Sequence, residues 1–64
     1  MNVMIARKKK RFTQDYVCEK VKISRSTLSK IENGKDANVT KDVMLRLSKV
    51  LEVSVQELFF SEEQ

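Results

Sequence analysis

Phe12-Thr13-Gln14-Asp15-Tyr16-Val17-Cys18-Glu19-Lys20-Val21-Lys22-Ile23-Ser24-Arg25-Ser26-Thr27-Leu28-Ser29-Lys30-Ile31-Glu32-Asn33-Gly34-Lys35 decides the fold, and it reads as two short helices across a tight turn. Val17 and Val21 stand four apart and share one face of the first helix, while Leu28 and Ile31 stand three apart and share one face of the second. Packed together around Ile23, they make a small core and leave the two helices splayed. Cys18 falls where the helices approach closely and only a small side chain fits. It reads as a packed residue, the alternative being a reactive thiol or a metal ligand.

The same start signal recurs along the chain. A Ser or Thr N-cap accepts a hydrogen bond from a free backbone N–H of the first turn. An apolar residue before the cap packs on another four positions after it, fixing the angle at which the chain joins the helix. The pattern occurs as Phe12-Thr13 with Val17, Ile23-Ser24 with Leu28, Val39-Thr40 with Met44, and Val53-Ser54 with Leu58. Ser54 and Glu57 also have the spacing of a capping box. With the N-terminal stretch, five helices are predicted at about 2–10, 14–20, 25–33, 41–51 and 55–60. Strand patterns and proline are absent, and the single Gly34 stands after Glu32-Asn33, where a left-handed cap stops the third helix. The expectation is an all-α fold in which residues 1–64 form one small domain.

A chain of 64 residues buries only about 60% of its unfolded surface, so a partner surface helps its stability. No run is long and apolar enough to span a membrane. The apolar stretch Val3 to Ala6 precedes a basic run, the reverse of a secretory signal. The single Cys18 has no partner for an internal disulfide and suits a reducing cytoplasm. The absence of His and of a second Cys argues against a zinc site, and no cofactor or small-molecule effector site is evident.

Charge is divided between the halves. Residues 1–35 carry ten Lys/Arg against three acids, giving +7, whereas residues 36–64 carry three against six, giving −3. The first half is built to meet a polyanion. The run Arg7-Lys8-Lys9-Lys10-Arg11 is consistent with a solvated helix end, but beside this helix pair phosphate contact is the better reading. With Leu28 and Ile31 turned inward, Arg25, Ser26, Ser29, Lys30 and Asn33 face outward. Arg and Lys donate to guanine O6 and N7, and Ser engages several base edges. The pair therefore reads as a helix-turn-helix that places its second helix in the DNA major groove.

Thr13-Gln14, the run Ile23 to Lys35 and Val53-Ser54-Val55-Gln56-Glu57-Leu58-Phe59 closely resemble the Cro/repressor-type (XRE) helix-turn-helix family of small bacterial and phage transcription factors. The resemblance covers roughly residues 3–60, and Ile31-Glu32-Asn33-Gly34-Lys35 is among its more specific marks. It implies a five-helix, lambda-repressor-like domain, cytoplasmic, that binds operator DNA as a symmetric dimer. By position it implies base reading by Arg25, Ser26 and Lys30, with a methyl or hydroxyl contact from Thr27. Gln14 matches a residue that grips a phosphate and braces the recognition helix. Thr13, Ser24, Ser29, Asn33 and Lys35 match positions beside the duplex backbone, with Lys41 a looser candidate. Arg7 and Glu32 match an ion pair that ties the first helix to the third. Arg11, Lys22 and Glu52 stand at turn positions where the family often has Gly, so either the turns differ or these residues adopt a strained left-handed backbone. Lys41 stands where the family often has an apolar residue.

Leu58, Phe59 and Phe60 run consecutively, so one helix face does not hide all three. An exposed aromatic pair points to a homodimer through Val55, Phe59 and Phe60; the alternative is that Phe59 closes the domain's own core. Three function classes follow. The first is a sequence-specific double-stranded DNA-binding regulator, most simply a repressor. The second is a protein-interaction module of the same fold, against which the basic half argues. The third, an enzyme, lacks His, a paired-carboxylate pocket and a glycine-rich phosphate loop.

Overall fold

Five short polar side chains set where the helices begin. In the structure, a computed structural model that describes residues 2–34 and 39–60, the helices are α1 (Val3–Lys9), α2 (Gln14–Val21), α3 (Arg25–Glu32), α4 (Lys41–Leu51) and α5 (Val55–Phe59). Thr13 Oγ1 accepts from the Tyr16 N–H at 3.0 Å, and Ser24 Oγ from Thr27 at 3.1 Å. Thr40 Oγ1 accepts from Val43 at 3.2 Å, and Ser54 Oγ from Glu57 at 3.1 Å. These are the four caps expected from the sequence. The fifth is Asn2, whose Oδ1 accepts from the Ile5 N–H at 2.8 Å. It starts α1 one residue later than expected. The predicted ends differ by a residue or so elsewhere, as fraying helix ends do.

Three of the helices also stop in the same way. Arg11, Lys22 and Glu52 all have the left-handed backbone, with φ of 61°, 69° and 59°. The next N–H turns back in each case: Phe12 donates to the Arg7 carbonyl, Ile23 to Cys18 and Val53 to Ser48, each at 3.2 Å. This bond, from the second residue beyond the helix to a carbonyl of its last turn, closes a Schellman motif. Each link is thus a left-handed residue, a half-buried apolar residue packed on the core and, immediately after, the next N-cap. Burial of Phe12, Ile23 and Val53 compensates for the left-handed cost of roughly 1 kcal/mol or more per non-glycine residue. After α3 the left-handed position falls to Gly34 (φ 71°).

The core is made by Val3, Ala6, Val17, Cys18, Val21, Leu28, Leu47, Leu51 and Leu58. The longest helix, α4, organises it. Its Leu47 and Leu51 are fully buried, with Val43 and Val50 packed beside them, and the helix lies against α1, α2 and α5. Arg46, on the same helix, donates from Nη1 to the Val21 carbonyl at 3.2 Å, satisfying the C-terminal end of α2. Among the described residues no strand forms, and no helix is long and apolar enough to cross a membrane.

The three non-glycine links make a stability prediction. Lys22→Gly removes the Cβ that strains the left-handed backbone, and its gain is partly offset by a freer unfolded chain. Stability should rise by up to roughly 1 kcal/mol. Lys22→Ala, which removes the same charge but keeps the Cβ, should give no such rise; urea denaturation of the two variants separates the effects.

Candidate nucleic-acid interface

The last residue of α3 fixes how the helix sits. Glu32 is buried, only 6% exposed, although it is an acid. Its Oε2 accepts from Arg7 Nε at 2.6 Å and its Oε1 from Arg7 Nη2 at 3.2 Å, a two-point pairing between α1 and α3. Gln14 Nε2, on the first residue of α2, donates to the same Oε1 at 3.1 Å. Arg7 Nη1 completes the set by donating to the Phe12 carbonyl at 2.9 Å, in the link before α2. Three helices therefore meet on one carboxylate.

The other face of α3 is turned to solvent. Leu28 is fully buried and Ile31 half-buried against the core, which leaves Arg25, Ser26, Thr27 and Lys30 exposed along the outside. Ser29, expected among the outward residues, is instead half-buried on the flank of the helix, where it accepts from Asn33 Nδ2 at 3.3 Å. The cause is geometric: Ser29 stands three residues before the buried Glu32, so it borders the inward stripe of the helix. Ser24 Oγ donates to Thr27 Oγ1 at 2.9 Å, so the Thr27 hydroxyl keeps its own proton for an outside acceptor.

Arg25 is held from α2. Its Nη2 donates to Gln14 Oε1 at 3.3 Å, and its Nη1 lies 3.3 Å from Asp15 Oδ1. Gln14 thus links Glu32 to Arg25 through the two ends of one amide. Thr13 and Ser24, both exposed N-caps, stand at the starts of α2 and α3. Lys41 is the exposed first residue of α4. Lys35 lies outside the described residues.

The basic run at the end of α1 divides. Arg7 is committed to Glu32, and Lys10 Nζ to Glu52 Oε1 at 2.6 Å. Lys8, Lys9 and Arg11 are exposed. Cys18 is buried, and burial pushes its thiol pKa up, so the sulfur stays protonated as a core side chain. Among the described residues no group of acids and thiols is arranged to hold a metal ion.

This arrangement, two helices held at a fixed angle with a polar cationic face on the second, coincides with the comparison to known families. A helix-turn-helix family model matches residues 3–58. The chain belongs to the XRE-type helix-turn-helix family. It is accordingly a DNA-binding transcription regulator, with α2 and α3 as the helix-turn-helix. No curated protein and no solved structure gives a significant match.

Two contacts of the helix-turn-helix were not expected from the sequence: the Asp15 carboxylate beside Arg25, and the Arg46 bond to the end of α2. Both join residues far apart in the chain, and nothing short of the helix crossing angle reveals them. The buried and exposed pairs predict different outcomes. Arg7→Ala or Glu32→Ala leaves one charge stranded, and each should lower stability by roughly 3 kcal/mol or more. Arg25→Ala, which breaks a pair between exposed side chains, should change it by less than about 1 kcal/mol. Thermal denaturation of the three variants checks the contrast.

Proposed function

We propose that the protein is a repressor that binds a palindromic operator as a homodimer, with α3 in the major groove of each half-site. The observation that carries this reading is the row of exposed hydrogen-bonding side chains on α3, Arg25, Ser26, Thr27 and Lys30, on a helix whose inner end is fixed by Glu32. Arg25 and Lys30 donate to guanine edges, Ser26 engages the neighbouring base, and Thr27 offers a methyl group and a free hydroxyl proton.

Around that row, Thr13, Ser24, Ser29, Asn33, Lys35 and Lys41 serve the phosphates, together with the backbone N–H of Gln14 at the start of α2. Lysine and arginine supply sequence-blind affinity by releasing counterions, and the α3 side chains supply discrimination. Repression then follows from occupying DNA that polymerase needs.

The dimer is assigned to α5. Phe60 is 60% exposed, the most exposed of the large apolar side chains among the described residues. Phe59 is half-buried against the core and Val55 is half-buried. Phe59 thus serves its own core and offers its remaining edge to the partner, while Phe60 supplies the anchor. A two-fold axis there spaces the recognition helices about 34 Å apart, one turn of the duplex.

Selection of bound duplexes from a random library tests this function. The expected winner is a palindrome with half-site centres about one helical turn apart, bound with a steep salt dependence. Failure to enrich any sequence would overturn the reading. Phe60→Glu should convert the dimer to a monomer in size-exclusion with light scattering and weaken operator binding. A wild-type protein that is already monomeric on the operator would refute the dimer.

A further inference from the structure

Asp15 is an acid in the half of the chain most strongly built for a polyanion. Only three acids occur in residues 1–35. One of them, Glu32, is buried against Arg7; Asp15 stands exposed on the first turn of α2, 3.3 Å from Arg25. A carboxylate beside a DNA-binding face repels phosphate and lowers affinity for every sequence alike. Its local effect on Arg25 is different in kind.

Arg25 has one acceptor and one ionic partner on α2: its Nη2 donates to Gln14 Oε1, and its Nη1 lies 3.3 Å from the Asp15 carboxylate. A guanidinium has five N–H donors in a fixed plane, so with one given to Gln14 the others remain for an outside ligand. Held at both terminal nitrogens, the plane loses its freedom before DNA arrives. Without Asp15, the nearest strong partner for a cation at the start of α3 is a phosphate, and a phosphate contact carries no sequence information. The ion pair is exposed on both sides, with 64% and 75% of the side chains accessible, so it contributes little to the fold. An acid in the first turn of α2 also favours that helix end, but that role does not involve Arg25.

We propose that Asp15 is a specificity-determining residue that keeps the Arg25 guanidinium aimed at a base edge and away from the phosphate backbone. The proposal rests on the reading of α3 as the base-reading helix. It predicts that affinity and selectivity move in opposite directions when Asp15 is neutralised.

The test compares wild type, Asp15→Asn, Arg25→Ala and the double variant on the selected operator and on duplexes changed at one base pair at a time, over a range of salt. Asp15→Asn should bind unrelated DNA more tightly. Its preference at the base pair that Arg25→Ala identifies should fall by about fivefold or more. Its salt slope should steepen by about one contact as Arg25 moves to a phosphate. In the Arg25→Ala background the Asp15 change should raise affinity uniformly and leave every base preference unaltered. If Asp15→Asn shifts all sequences equally while Arg25 is present, the proposal is overturned and the base-reading role of α3 stands. If Arg25→Ala itself alters no base preference, the reading of α3 fails and the proposal falls with it.

Discussion

A carboxylate that has left water and receives hydrogen bonds from two other helices holds this structure in register. Glu32 accepts from Arg7 Nε and Nη2 and from Gln14 Nε2 at 2.6, 3.2 and 3.1 Å. Burying an ion without partners costs several kcal/mol, so α3 is stable only where all these donors converge. The apolar contacts of α3, chiefly Leu28 and Ile31, drive it onto the core but tolerate small slides and rotations. Directional bonds at its C-terminal end do not. The orientation of the outward face, and so the direction in which Arg25, Ser26, Thr27 and Lys30 point, follows from that difference.

Acids elsewhere in the fold also hold cations in place. Lys10 is held by Glu52, across the ends of α1 and α4. The Lys10 hydrogen bond, reinforced by its charge, keeps the Glu52 carboxyl below its ordinary pKa. The support from this exposed tie is present at neutral pH and is lost as the pH falls through that lowered value. Arg46 pairs with Asp42 one turn away on α4 while capping α2. Arg7, buried against Glu32, is not available to DNA. Of the ten Lys/Arg of residues 1–35, Arg7, Lys10 and Arg25 already have acidic partners in the fold. Lys20 lies over the Tyr16 ring, 5.5 Å from its centre, and keeps its charge at the surface of α2.

Local chemistry made most of the fold legible. Thr13, Ser24, Thr40 and Ser54 announce helix starts because the cap is a bond between residues three apart, and the apolar residue before each is equally local. Asn2 escaped because the recurring pattern has Ser or Thr at the cap, although Met1 precedes it and Ala6 follows at the matching position. The stops were less legible. Glycine is the usual sign of a left-handed residue, and Arg11, Lys22 and Glu52 conceal it; the following Phe12, Ile23 and Val53 were the signal present in the sequence. The outward residues of α3 followed from its period, except that Ser29 lies at the boundary of the buried stripe. Contacts across elements divided by kind. The Arg7–Glu32 pair was suggested by family resemblance, whereas Asp15 with Arg25 and Arg46 with Val21 depend on how the helices cross.

The most direct measurement is nuclear magnetic resonance of the protein bound to its selected duplex, reading nuclear Overhauser contacts between protein and DNA protons. The account predicts contacts from Ser26, Thr27 and Lys30 side chains to major-groove protons, including a thymine methyl or cytosine H5, with α5 remote from the duplex. Contacts confined to α5 or to the basic end of α1, with the α3 side chains unperturbed, would contradict it.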